Sequence, residues 1–425
     1  MKRGQLLHEL KCGALAPRLR EIYGPRKAGE AAERLVELVE EFAGVFPCSS
    51  ESDTLLFSTP GRTELGGNHT DHQRGHGLAA SVDLDTIACV VPNESGVIRI
   101  KSRHHRMAEI RLDQLEARAE ETGSSPALVR GVASRFRQLG CTLGGFDAYT
   151  TTNVLRGSGV SSSAAFEVLV ATILNHLFCG GALSPTEIAQ IGQYAENVYF
   201  GKPCGLLDQL ACATGGVISI DFADPAKPAV KQVSVDLEKQ GYRLCIVDSQ
   251  ASHADLTEDY AAIPAEMAQV AACFGKKYLS QVEPEIFRRE LAGVRRQCGD
   301  RAALRAHHYF KDDERAVAQH EALERGDLDT FLHLVNQSGR SSFMYLQNVS
   351  THRDSRVQPL AVLLAGAEEL LDGRGACRVH GGGFAGTIQA YVPEDLVEAF
   401  IAGMDAMGGK VHVLNIRNKG AVHLV

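Results

Sequence analysis

Apolar and polar positions alternate with two periods along this chain, and the changes of period mark where helices give way to strands. Up to residue 45 apolar residues recur every three or four positions, with Leu35, Leu38, Val39 and Phe42 forming a stripe, so two amphipathic helices are expected. The period then shortens to two. LLFSTP reads as a short strand stopping at Pro60 and Gly61, TIACVVP and VIRIKSR as strands with a turn at Pro92, Asn93 and Gly96, and FDAYTTTNV as another strand. Residues 115–137 have helical composition, with a break at 123–126.

Residues 155–178, LRGSGVSSSAAFEVLVATILNHLF, are the stretch around which the rest is organised: a small-residue loop runs into a helix that is apolar almost all round, Glu167, Asn175 and His176 excepted. Such a helix is expected to be buried, which holds its N-terminus firmly. Gly157 and Gly159 let the backbone turn tightly so that N–H groups converge, and Ser161, Ser162 and Ser163 add hydroxyls and an N-cap. Free N–H groups at a positive dipole end suit a phosphate, although the same residues also fit an ordinary capped core helix.

Ser184, Pro185 and Glu187 open the next helix with a capping box; its stripe is Ile188, Ile191, Ala195 and Val198, with Glu196 beside it, and it stops at Gly201. CGLLDQLACATGG surrounds Asp208 with apolar neighbours, so this acid is expected to be partly buried. YRLCIVDSQ is a further strand, and 255–372 is mostly helical with breaks at Gly326 and Gly339. The run Gly381-x-Gly383-x-x-Gly386 formally matches a dinucleotide fingerprint, but TIQAYV after it has strand composition and a helix starts only past Pro393. The run therefore joins two strands, which argues against an NAD-dependent oxidoreductase. His69, His72 and His76 beside Asp71 suggest a metal cluster only weakly, because Gly75 and Gly77 deny them helical spacing.

Composition narrows the class. With 425 residues and 44% hydrophobic content the chain supports more than one core, and a domain boundary is placed near residue 235, dividing 1–235 from 236–425. A net charge of −8 with scattered lysines and arginines offers no face for nucleic acid. Eleven cysteines, an odd number without a CxxC pair, read as reduced thiols. The first residues lack an apolar signal core and no run reaches membrane-spanning length, so a cytoplasmic protein without membrane contact is expected.

Four segments together carry a resemblance that none carries alone. Pro60-Gly61-Arg62-x-x-Leu65-x-Gly67-x-His69-Thr70-Asp71 resembles the signature of the galactokinases, in the GHMP superfamily of small-molecule kinases. Residues 157–165 resemble the superfamily's phosphate loop, 379–386 its glycine-rich third motif, and Cys204-Gly205-Leu206-Leu207-Asp208-Gln209 its catalytic segment. The resemblance implies a two-domain α+β kinase, with an N-terminal domain of the ribosomal protein S5 domain 2 type, a ferredoxin-like C-terminal domain and the active site between them. It implies ATP across Gly157, Ser158, Gly159, Val160, Ser161, Ser162 and Ser163, Mg²⁺ on Ser163 and Glu196, and Asp208 with Arg62 as the catalytic pair. A small-molecule sugar would be held by Arg62, Glu64, Asn68, His69, Asp71, Gly205, Asp208 and Tyr260.

The implied reaction is phosphorylation of a sugar's anomeric hydroxyl, with D-galactose as the expected substrate. Because Arg62 would favour ionised Asp208 and weaken it as a base, orientation of the hydroxyl stands beside proton removal as its role. The chain departs from the family at two positions: the usual Glu at 68 is Asn68, and the usual Asn at 64 is Glu64. The arginines that usually follow Tyr260 are replaced by Ala262, Ile263 and Pro264. The alternatives are therefore another sugar, such as N-acetylgalactosamine, galacturonate or arabinose, and a catalytically silent binder of sugar and ATP.

Overall fold

A computed structural model of the chain describes residues 1–47, 50–154, 159–251 and 256–425. The first two helices, α1 (Arg3–Lys11) and α2 (Ala16–Val45), form as the apolar stripe predicts, α2 kinking at Gly24, whose φ of 76° leaves the helix just before Pro25. Leu35, Leu38, Val39 and Phe42 pack on Leu56, Ile87, Cys89 and Tyr149 of a sheet. That sheet comprises β1 (Leu55–Gly66), β2 (His76–Asn93), β3 (Val97–Ser102), β4 (Ala108–Arg111), β5 (Gly145–Thr152), β6 (Val217–Asp221) and β7 (Ala229–Val233), joined at its edge by the chain's last strand. β1 lies beside β2, β2 beside β5 and then β3 and β4, while β6 and β7 extend from the start of β2; only β3 and β5 run parallel.

Two strands are longer than their patterns indicate. β1 does not stop at Pro60 and Gly61 but continues to Gly66, because a register shift against β2 between Pro60 and Arg62 absorbs the proline's missing donor. β2 begins at His76 rather than Thr86: Leu78, Ala79, Ala80 and Val82 are wholly buried, and a strand covered on both faces shows no alternation. The opposite face of the sheet carries α3 (Ser125–Gln138), α4 (Ser162–Phe178), α5 (Pro185–Tyr194) and α6 (Leu207–Thr214), with Phe57, Val82, Phe136, Phe146, Leu169 and Leu210 in one core. α3 starts only at Ser125, so the expected helical character of 115–124 is confined to a short 3₁₀ turn. The capping box at Ser184 and Glu187 is present, and α5 runs on as a π-helical turn, Ala195–Phe200.

The second sheet is built from β8 (Tyr242–Asp248), β9 (Ala376–Val379), β10 (Thr387–Pro393) and β11 (Lys410–Leu414), all antiparallel in the order β11-β8-β10-β9. Between β8 and β9 come α7 (Thr257–Cys273), α8 (Pro284–Arg289), α9 (Leu291–Cys298), α10 (Asp300–Glu324), α11 (Leu328–Ser341) and α12 (Pro359–Leu371); α13 (Val397–Ala406) joins β10 to β11. This is the βαββαβ order of a ferredoxin-like unit with extra helices in its first crossover. α12 and α13 cover one face, burying Val247, Leu363, Ala367, Ile388 and Met404. The α+β class and the strand-to-strand reading of residues 381–386 agree with expectation.

Gly326 separates α10 from α11, but Gly339 lies inside α11 and breaks nothing. Its role is close approach: a Cβ there would come within 2.9 Å of the Cys377 carbonyl oxygen and 3.1 Å of Arg378 Cβ, so only glycine lets α11 press on β9. Residue 235 falls in the linker between β7 and β8, while β12 (Val422–His423) crosses back to pair with β1. Among the described residues no helix is long and apolar enough to cross a membrane.

One buried charge cluster ties α2 and the chain's last segment to the first sheet. Asp85, fully enclosed, accepts bonds from Arg34 Nη1 at 2.9 Å, Tyr23 Oη at 2.7 Å, Ser58 Oγ at 2.5 Å and Arg417 Nη1 at 3.3 Å. Burial alone would raise its pKa, but the two guanidiniums and the hydroxyl donors hold it below the ordinary carboxylate value. Replacing it leaves two arginines uncompensated, so Asp85→Asn should cost about 3–5 kcal/mol in urea unfolding. For the wild type, a folded pKa below the unfolded one means that Asp85's contribution is complete above the unfolded carboxylate range and is lost as pH falls through the folded value.

Candidate active site

The register shift in β1 aims Arg62 across the sheet toward the start of α4. Its backbone N–H donates to the Val160 carbonyl oxygen at 3.1 Å, and a Cβ on Gly61 would meet that oxygen at 2.8 Å, so this glycine permits the contact. The guanidinium then grips Asp208 in a parallel pair of bonds, Nε to Oδ1 at 2.6 Å and Nη2 to Oδ2, while Nη1 donates to the Gly159 carbonyl oxygen. Asp208 sits in the first turn of α6 and accepts a third bond from Ser161 Oγ at 2.7 Å. Burial pushes its pKa up, yet Arg62 and Ser161 outweigh burial and the value is lowered. Ser161 takes a left-handed φ of 54° and makes no side-chain cap bond, so its expected capping role gives way to the bond to Asp208. Gly157 and Ser158 lie outside the described residues.

A second acidic centre adjoins the first. Glu196, on the π-helical turn and only 2% exposed, receives Ser163 Oγ at 3.2 Å and Lys202 Nζ at 3.3 Å on Oε1, and Gln209 Nε2 at 3.0 Å on Oε2. The same amide donates to Glu167 Oε1 at 2.7 Å. Glu167 is sealed inside α4 without a cation, and burial, reinforced by the Glu196 charge, drives its pKa well above the usual carboxylate range. A hydroxyl and a carboxylate sharing an oxygen with an ammonium form a site of hard donors that already attracts a cation, which fits Mg²⁺.

The remaining predicted residues form a third cluster under the glycine-rich turn. His69 adopts φ +62°, its Nε2 faces the Gly382 carbonyl oxygen at 3.2 Å, and its buried Nδ1 has no partner. Burial, with His72 adding to it, lowers its pKa to about 4, so the ring is neutral. Asp71 lies against Gly205, where a Cβ would come within 2.2 Å of Oδ2. Tyr260 Oη donates to the Gly383 carbonyl oxygen at 2.9 Å, and its ring lies close to Gly382, where a Cβ would meet Cε1 at 2.6 Å. His76 does not join the other histidines: its Nδ1 pairs with Asp313 Oδ1 at 3.1 Å.

Glu64 and Asn68 are joined directly, Asn68 Nδ2 donating to Glu64 Oε1 at 3.0 Å. The wholly buried Arg378 of β9 donates to the same oxygen and to the Leu65 carbonyl at 3.1 Å. Burial raises the Glu64 pKa, opposed by Arg378 and the Asn68 amide. His380, next but one to Arg378, bonds Thr63 Oγ1 and Thr387 Oγ1, each at 2.9 Å, and is pushed down to about 3 by burial and by Arg62 and Arg378. It is therefore a neutral spacer, and it seats Gly159, where a Cβ would lie 2.7 Å from Nδ1.

Beside Ser163 opens a cleft of about 1240 Å³, lined in part by Thr86, Arg103, Asn153, Ser162, Ser163 and Phe166. The cleft, Lys202, Gln209, Arg378 and His380 were not singled out by sequence. A lone Arg in a strand or a Lys after a glycine carries no pattern of its own; the one available signal was their place inside or next to the third motif and the catalytic segment.

Comparison with known proteins accords with this geometry. Residues 127–216 match the GHMP kinases N terminal domain and residues 40–92 the galactokinase galactose-binding signature. A galactokinase of Streptomyces coelicolor is 29% identical over 409 residues, spanning 94% of this chain and 92% of that protein. The fold is shared with a Lactococcus lactis galactokinase complexed with galactose, at a TM-score of 0.77 and 24% identity over 90% of this chain and 98% of that one. It is also shared with the Methanococcus jannaschii mevalonate kinase, at a TM-score of 0.61 and 13% identity over 86% of this chain and 99% of that one. The Gly205 contact yields a direct test. Gly205→Ala must displace the Asp71 carboxylate, and a misplacement on the ångström scale is expected to lower turnover about 100-fold while the thermal midpoint barely moves.

Proposed function

We propose that this chain, which belongs to the galactokinase family of GHMP kinases, transfers the γ-phosphoryl group of ATP to the anomeric hydroxyl of D-galactose. The observation that carries the reading is the bidentate Arg62–Asp208 pair, held at the start of α4 by Ser161 and next to the Glu196–Ser163 site. ATP occupies the cleft beside Ser163, with its phosphates at residues 157–163. Ser163 and Glu196 would hold Mg²⁺, which would supply neutralisation of the phosphate charge. Lys202, already paired with Glu196, adds a positive charge on the same side. His69, Asp71, Gly205 and Tyr260 line the sugar's side.

Asp208 accepts the anomeric O–H and points it at the γ-phosphorus. With its pKa lowered by Arg62 it is a weak base, so its main work is alignment, the proton passing to it only late, as the O–P bond forms. Arg62 faces the charge that grows on the transferring phosphoryl oxygens. A neutral His69 suits an uncharged polyol better than a uronic acid, whose carboxylate would meet Asp71 and Glu64.

A coupled ADP-release assay over galactose, N-acetylgalactosamine, galacturonate and arabinose tests the substrate; galactose is expected to give the highest kcat/KM, and a different preferred sugar would overturn the assignment. Asp208→Asn should retain ATP binding and lose at least about 100-fold in kcat; near-normal turnover in the folded variant would remove Asp208 from the reaction. Glu196→Gln should raise the Mg²⁺ concentration needed for half-maximal rate, and an unchanged requirement would return Glu196 to a purely structural role.

A further inference from the structure

Asn68 and Glu64 stand where the sugar's side of the site meets the second sheet, and their hydrogen bonds divide two tasks between them. An amide side chain has two donor hydrogens and two acceptor lone pairs. Asn68 spends both donors on Glu64 Oε1 at 3.0 Å and the Gly381 carbonyl at 2.8 Å, and its oxygen accepts Asn348 Nδ2 at 2.9 Å and Ser342 Oγ at 3.2 Å. Its backbone is held as fully: the N–H donates to Asp312 Oδ2 at 2.8 Å and the carbonyl faces His308 Nε2 at 3.0 Å. Wholly buried, Asn68 has no vacancy for a ligand.

Glu64 is the converse. Oε1 is fixed from two sides by Arg378 and Asn68, whereas Oε2 has no hydrogen-bond partner among the described residues, and the side chain keeps 13% of its surface open. Arg62 and Glu64 stand two apart on a regularly paired stretch of β1, opposite Ser81 and Ala79, so the two side chains leave the strand on the same face and the open oxygen lies on the side of the reacting pair. A nearly buried carboxylate oxygen without a donor is costly, and a ligand hydroxyl is the donor that a polyol brings. Each nitrogen of Arg378 has a partner, Nε and Nη1 donating to the Val379 and Leu65 carbonyls at 3.0 and 3.1 Å, and the side chain is wholly buried, so it positions and does not bind.

Resting on the sugar-kinase reading above, we infer that Glu64 Oε2 is the acceptor for one ring hydroxyl of the sugar, that Arg378 positions it, and that Asn68 is a clamp between the signature segment and the second sheet with no sugar contact. The exchange of residue types between positions 64 and 68 thus moves the carboxylate that reads the sugar from one to the other.

The test crosses protein variants with substrate deletions. Wild type, Glu64→Gln, Glu64→Asp and Asn68→Ala are assayed with galactose and with its 3-, 4- and 6-deoxy derivatives, each variant's thermal unfolding being followed in parallel. Glu64→Gln should lower kcat/KM for galactose about 10- to 100-fold, the range of a hydrogen bond to a charged group, and lose that penalty with one deoxy sugar only. Glu64→Asp, which keeps the charge on a shorter arm, should show the same single coupling and serves if the Gln variant does not fold. Asn68→Ala should lower the thermal midpoint with a penalty equal for every sugar. Equal Glu64 penalties across the panel, or a hydroxyl-specific Asn68 penalty, would overturn the division of roles. If another sugar of the wider panel turns over in place of galactose, the substrate assignment fails, while the same cycle on that sugar's deoxy derivatives still decides the role of Glu64. A wild type that neither turns over nor binds any sugar by calorimetry overturns both.

Discussion

The fork of Arg62 is the contact on which the site depends. A guanidinium is planar and permanently charged, so once Asp208 takes its two parallel N–H groups and the Gly159 carbonyl takes a third, its orientation is set with little freedom left. Three separate elements, β1, the loop before α4 and α6, are thereby referred to one side chain. The backbone had to be arranged for it: the shift in β1 aims the residue, and Gly61 lets the strand touch Val160. Breaking the pair would leave the Arg62 guanidinium, 12% exposed, without its counter-charge, while Asp208 at 32% exposed could still be solvated, so the loss would fall first on the positioning of the site.

Much of this was legible in the chain, and what was not shares a physical character. Period and punctuation gave α2, α5 with its capping box, β8 and the strand-to-strand reading of the glycine run, because those elements are amphipathic or chemically punctuated. β2 escaped because a strand buried on both faces has no alternation, and β1 was cut short because Pro60 reads as a terminator unless a bulge hides its missing donor. Gly339 read as a helix break while serving as a contact point, since its reason lies on β9, far off in sequence. Arg62, Glu196 and Asp208 could be nominated from motifs. Arg378 and His380 could not, because their roles exist only once the second sheet is laid against the signature strand, and Lys202 could not, because its pairing with Glu196 depends on the π-helical turn between them.

Charge in the site follows one rule. Each carboxylate near the reacting atoms that has a cation takes it from a different element: Asp208 from Arg62 on β1, Glu64 from Arg378 on β9, Glu196 from Lys202 beyond the π-helical turn. Glu167, which pairs with no cation among the described residues, is driven toward its neutral acid instead. Asp71 is the exception, its ion-pair contact among the described residues being His72 at 3.8 Å, so an apparently acidic site carries only a small excess of negative charge before any ligand arrives, which favours a polyanionic nucleotide. The pairs differ in what they hold in reserve. Arg378 is enclosed on all sides and can only position, whereas Lys202 keeps 62% of its side chain exposed. In the site proposed above, Lys202 on the phosphate side can thus turn from Glu196 to a ligand oxygen, whereas Arg62 is held by its three bonds and Arg378, on the sugar side, is enclosed. That asymmetry matches the two substrates, since the charge on a transferring phosphoryl group changes during reaction and the hydroxyls of a sugar remote from the anomeric carbon do not.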